Sequence, residues 1–196
     1  MKKIALFVML ASVFSLLAAV PEYLVTGKNP ARLEKIAAEE LQFFYQKIYG
    51  KKLKVISESS AKGKSAVYLG NTAFAKANGI DCSKADKEEW ILRTRGKNLI
   101  ITGGVPAGTL YGVYAVLERL GVAFIAPEET VIPENKPDFP VFNERKKPDM
   151  EGRLIYDGIS NHLHRVNAPE ESRKMYVKWL LRNRINGCAT RRSNTA

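Results

Sequence analysis

The stretch EEWILRTRGKNLIITGGVPAGTLYGVYAVLERLG, residues 88–121, constrains the fold more than any other part of the chain. Two β-rich runs flank a Gly-Lys-Asn turn, which is the pattern of a β-hairpin. The second run ends in Gly103-Gly104, and a helical pattern from about Thr109 to Leu120 follows, stopped by Gly121. Leu110, Val113, Tyr114 and Leu117 recur at helical spacing, so this helix is expected to lie on the sheet. Gly112 sits mid-helix, where it costs about 0.5–1 kcal/mol relative to alanine. That cost implies close approach to a neighbouring backbone or strand.

The glycine corner has two readings. Gly103 and Gly108 are separated by four residues, with Thr109 directly after, which nearly fits a phosphate-binding loop. The lysine that reaches the β- and γ-phosphates is missing between Gly108 and Thr109. In the structural reading, Gly103 and Gly104 let the chain leave the hairpin, Pro106 stiffens the crossing and Gly108 begins the helix. That reading accounts for more residues.

Upstream, YLVTGKNPARLEKIAAEELQFFYQKIYGKKLKVI reads as strand, helix, strand. Asn29 is expected as N-cap with Pro30 as first helical residue. Leu33, Ile36, Ala37, Leu41, Phe44 and Ile48 make one apolar face, and Gly50 ends the helix. Ser65–Gly70 reads as a buried strand, with Asn71 capping a short helix that ends near Gly79. After the central stretch, VAFIAP forms a last short strand. Pro127 to Pro148 carries five prolines and reads as a connector. Beyond it, RLIYDGIS forms a fresh strand and ESRKMYVKWLLRNRIN a fresh helix, whereas CATRRSNTA offers no strong closing element. One strand and one helix cannot bury both faces alone, so a second domain begins here and stops early.

Lys2 and Lys3 precede the uncharged run Ile4 to Val20, which ends in small residues near Ala19. This is the pattern of a secretory signal. Pro21 and Glu22 close the run just short of a membrane span, and no Cys follows it for lipid attachment, so a stable membrane anchor is not expected. Without Lys2 and Lys3, the 31 basic residues become 29 against 20 acids, a net of +9. The bases are scattered among acids, which reads as a solvated surface; nucleic acid is not an expected partner. Cys82 and Cys188 permit one bridge in an oxidising compartment without requiring it.

Hydrolysis of a glycoside needs two facing carboxyl groups, about 5–5.5 Å apart for retention or 6.5–9.5 Å for inversion. Adjacent pairs such as Glu39-Glu40, Glu128-Glu129 and Glu170-Glu171 diverge along one segment and do not meet that need. His162 and His164 share a face if their strand continues so far. Zinc would require a third ligand that the spacing does not supply, so neither a metal nor another cofactor is expected. A sugar contact at a loop end is the other use for the two histidines. Cys188 has no convincing base beside it.

GGVPAGTLYGVYAVLERLGVAFIAP, with VIP shortly after, resembles the non-catalytic α/β domain that precedes the barrel in secreted glycosidases of the α-glucuronidase and β-hexosaminidase type. It is most similar to related bacterial proteins in which a domain of unknown function follows. In that group the barrel-opening helix carries a run like Trp179 with RNRING, Arg182 to Gly187. The resemblance spans roughly Tyr23 to Ala189. Ala107 stands where relatives commonly have arginine. Arg153 and Asp157 in RLIYDGIS resemble the opening RG-x-x-x-D strand of hexosaminidases, where an arginine three residues after the aspartate grips the sugar; here that residue is Ser160.

The resemblance therefore implies an α/β fold: a small mixed β-sheet with helices packed on it, then the first β-α unit of an incomplete TIM-type barrel. The expected division is a signal peptide over 1–19, an accessory α/β domain over 20–142, a linker over 143–150, and a truncated barrel start over 151–196. The expected role is that of an exported accessory domain in carbohydrate metabolism, without a complete catalytic site in this chain. Its implied partners are a carbohydrate and the missing barrel. Arg153, Asp157, His162 and His164 are the substrate-binding candidates. The competing reading is a stand-alone carbohydrate-binding or cell-envelope module that uses its basic surface on acidic glycans.

Overall fold

A computed structural model describes residues 19–156 and 169–189. Strand β1 (Tyr23–Thr26) leads into helix α1 (Arg32–Tyr49) and strand β2 (Lys54–Val55). Strand β3 (Ala66–Leu69) and short helix α2 (Ala73–Ala77) follow. The hairpin is β4 (Trp90–Arg95) and β5 (Asn98–Gly103), and helix α3 (Gly108–Arg119) comes next. Strands β6 (Ala123–Phe124), β7 (Thr130–Val131) and β8 (Asn143–Lys146) precede the second unit. That unit comprises β9 (Leu154–Tyr156), α4 (Glu170–Arg182) and β10 (Gly187–Ala189).

Six strands form the mixed main sheet in the order β2-β1-β3-β5-β4-β8. β1, β2, β3 and β5 run parallel, whereas β4 is antiparallel to both β5 and β8. Both faces of the central strands are covered, so β1, β3 and β5 read as largely apolar runs. Leu24, Val67, Leu69, Leu92, Leu99 and Ile101 point to the larger core, beneath α1 and α3. Val25, Ala66, Tyr68, Ile91 and Ile100 point the other way, toward α2 and its flanking turns. The alternation along each strand thus divides one apolar sequence between two layers.

Helix starts depart slightly from expectation. α1 begins at Arg32 with Ala31 as N-cap, because the Glu34 carboxylate reaches back to accept the Ala31 N–H at 2.8 Å. Thr72, not Asn71, caps α2, its hydroxyl accepting from the Ala75 N–H at 3.2 Å. Gly50 and Gly121 terminate their helices with positive φ, as expected.

Two corrections are larger. The proline-rich stretch read as a connector contributes β7, which pairs with β6, and β8, which is the sixth strand of the main sheet. β8 is Asn-Glu-Arg-Lys, polar because it is an edge strand. The segment near Cys188, read as having no closing element, forms β10. It pairs in parallel with β9, Gly187 opposite Leu154, so the second unit is a β-α-β crossover. Cys82 carries a free thiol.

Candidate functional site

The glycine corner is filled by the protein's own backbone. Gly104 donates its N–H to the Glu89 carbonyl at 2.8 Å, and Glu88 donates to the Val105 carbonyl at 3.3 Å. A Cβ placed on Gly103 or Gly108 would overlap the Glu89 carbonyl, and one on Gly104 would overlap that of Asp86. The glycines are therefore required by close approach of residues 86–89, with no space for a phosphate. Gly112 likewise lies against the sheet: a Cβ there would meet Ile101 at 3.0 Å and Leu92 and Trp90 at 3.4 Å. Tyr111 and Tyr114 are core residues, each 1% exposed.

From that corner the acidic segment reaches outward in two directions. Glu89, on the β4 side, is gripped by Arg145 of β8 through bonds of 2.7 and 2.8 Å. Hydrogen bonding from Arg145 holds the Glu89 carboxyl below the usual carboxylate range, against the opposing effect of its burial. Glu88, held at φ 58°, turns the opposite way. Its buried carboxylate accepts from Arg153 Nη2 at 2.7 Å. Adjacent acids diverge here as on any single segment, so they form no catalytic pair.

Arg153 is the hub of this site. Its Nε donates to the Arg184 carbonyl at 2.5 Å. Nη1 donates to the carbonyls of Met150 and Glu151 at 2.6 and 3.2 Å. Nη2 donates to Glu88 and to the Tyr111 hydroxyl, the latter at 3.3 Å. All five guanidinium donors are thereby engaged. Burial works against the charge, but the bonds to Glu88 and Tyr111 outweigh it and hold the guanidinium above its ordinary value. Burial, with Glu88 nearby, raises the Tyr111 phenol in turn. An arginine with every donor spent on protein has none left for a sugar hydroxyl. Its geometry is that of a clamp.

The RNRING run completes the clamp from the other side. Arg182 makes a two-bond pair with the buried Glu40 of α1, at 2.8 and 3.0 Å. The guanidinium also lies over Phe44 and Phe124 at 5.1 and 5.2 Å. Asn183 and Trp179 both donate to the Phe124 carbonyl, at 3.3 and 3.1 Å. Arg184 pairs with Glu118 of α3 through two 2.8 Å bonds and stacks over Trp90. Like Glu88, Arg184 has a positive φ of 58°, a backbone position that costs of order 1 kcal/mol or more in a non-glycine residue. Asn186 accepts the Arg153 N–H at 3.0 Å and donates to the Glu151 carbonyl at 2.6 Å. Asn186 also donates to the Glu88 carboxylate at 3.4 Å, so each polar residue of the run ties the β-α-β unit to the sheet domain.

Asp157, His162 and His164 lie outside the described residues. Of the acidic pairs, Glu40 is committed to Arg182, and Glu170 and Glu171 to Lys174. Sequence reasoning picked out Arg153 and the RNRING run but missed Glu88, Glu118 and Glu40 as their partners. Only long-range pairing identifies those acids, and nothing local marks them.

The family model described as glycosyl hydrolase family 67 N-terminus matches residues 15–116. The fold is similar to that of a GH115 4-O-methyl-α-glucuronidase with specificity for decorated arabinogalactans. The TM-score is 0.56 at 19% identity, covering 88% of this chain and 25% of that one. A β-hexosaminidase of Streptomyces plicatus matches with a TM-score of 0.44 at 12% identity, over 71% of this chain and 25% of its own. This chain therefore spans about a quarter of the length of these structures. No curated protein matches the sequence.

Proposed function

The chain belongs to the glycosyl hydrolase family 67 N-terminus family, and on that premise we propose that it is the front end of an exported glycoside-hydrolase-like protein, whose task is to seat the first β-α-β unit of a catalytic barrel. The clamp of Arg153, Arg182 and Arg184 is the observation that carries this reading. Two-bond arginine-carboxylate pairs fix orientation as well as distance. A catalytic barrel needs that fixity, because its acids come from the ends of several strands and tolerate little misplacement. The parallel β9-α4-β10 crossover supports assignment of this unit as a barrel opening. The basic, apolar leader supports export.

On this reading the catalytic carboxyl groups belong to later strands, and residues 1–196 alone turn over no glycoside. The substrate of the whole protein is a glycan, with an α-linked uronate the first class to try. Incubation of the 196-residue chain with a panel of aryl glycosides is expected to release no phenol above background. Sustained turnover abolished by Glu88→Gln would place a catalytic centre in this chain and overturn the reading.

A further inference from the structure

We propose that the face of the sheet opposite α1 and α3 carries a second site, which binds acidic saccharides away from the barrel junction. A cavity of about 390 Å³ opens there between α2 and the turn before β3. Its walls are Ala61, Ala77, Tyr68 and Phe74, the two rings stacked at 4.1 Å. Tyr68 is buried, whereas Phe74 is half-buried and presents apolar surface to the cavity. Lys62, Lys64 and Lys97 stand around it, all exposed.

The charge there is unbalanced. None of the three lysines pairs with a carboxylate among the described residues: Lys64 lies 4.8 Å over the Tyr23 ring, and Lys97 donates to the Gly63 carbonyl at 2.6 Å. Among the described residues Glu58 is the one acid in the lining, and its two oxygens already accept the Phe74 and Ala73 N–H groups at 2.5 and 3.1 Å. What remains is an apolar floor with an aromatic edge under a cationic rim. A pyranose ring offers the matching apolar face, and its carboxylate matches the lysines. The volume lies within the range of about 300–1,000 Å³ usual for small-ligand sites. Among the described residues the lining contains no arginine, hence no bidentate phosphate clamp, and no extended aromatic platform for stacked bases. These features favour a uronate over a nucleic acid. The choice of a saccharide rests on the accessory-domain reading, but the test below does not involve the clamp or turnover, so the two fail separately.

Calorimetric titration of the whole chain with trigalacturonate, xylotriose and a short single-stranded oligonucleotide tests the proposal. Trigalacturonate is expected to bind, to weaken about tenfold when salt rises from about 50 to 500 mM, and to bind more tightly than either other probe. The exposed double variant Lys62→Ala/Lys64→Ala should lose about tenfold in affinity, while Lys62→Arg/Lys64→Arg stays within about threefold of wild type. Absence of trigalacturonate binding, equal affinity for xylotriose, tighter binding of the oligonucleotide, or indifference to the alanine pair would each overturn it.

Discussion

Single residues at the glycine corner bear the largest local constraint. Gly104 has the Asp86 carbonyl where a Cβ would stand, so Gly104→Ala must push residues 86–89 away. A loss of about 2–3 kcal/mol is expected, read as a lower urea midpoint. Gly152→Ala, with open space around it, should change stability by less than about 0.5 kcal/mol. Glu89 supplies a pH-dependent test. Its folded carboxyl titrates below the ordinary value of 4.5, so its contribution is complete above that value and disappears as pH falls through the lower folded one. Wild type should therefore lose more stability than Glu89→Gln between neutral pH and pH of about 3, measured by thermal melts. The need for glycine here was legible in the sequence, because no lysine accompanied the pattern. The cause was not legible, because the crowding atoms belong to a segment whose approach only the folded chain reveals.

Among elements, α4 depends on its partners more than on itself. Tyr176 and Leu180 are its buried residues, and much of its docking runs through polar groups near its C-terminal end. Removing Arg182 leaves Glu40 buried and uncompensated. Arg182→Ala should cost about 3 kcal/mol, a fall in Tm of roughly 6–12 °C. Arg182→Met with Glu40→Leu should restore most of that loss, since an apolar pair of similar volume needs no charge partner. Helix and hairpin periodicities exposed α1, α3, α4, β4 and β5 in the sequence. β8 and β10 escaped. β8 is a polar edge strand set in a proline-rich stretch, and β10 is three residues long with its pairing partner far upstream, so neither carries an apolar rhythm.

At the scale of the whole molecule, the chain is a six-stranded α/β layer with a β-α-β unit locked to one side, and the lock consists of three arginines with a carboxylate each. Sequence resemblance pointed to both halves and to the arginine-rich run at the end of the barrel-opening helix. It could not distinguish a sugar-gripping Arg153 from a structural one, because that distinction lies in how many of the five donors the protein itself uses. Trp179 and Leu181 of α4 also pack against the main core, but the central claim is that the arginines are the principal coupling between the two units. Native-state hydrogen exchange on wild type and on Arg182→Ala/Arg184→Ala measures this directly. The account predicts that α4 amides exchange at least about tenfold faster in the variant while β3, β4 and β5 amides keep their protection. Unchanged protection in α4, or an equal loss throughout the sheet, would contradict it.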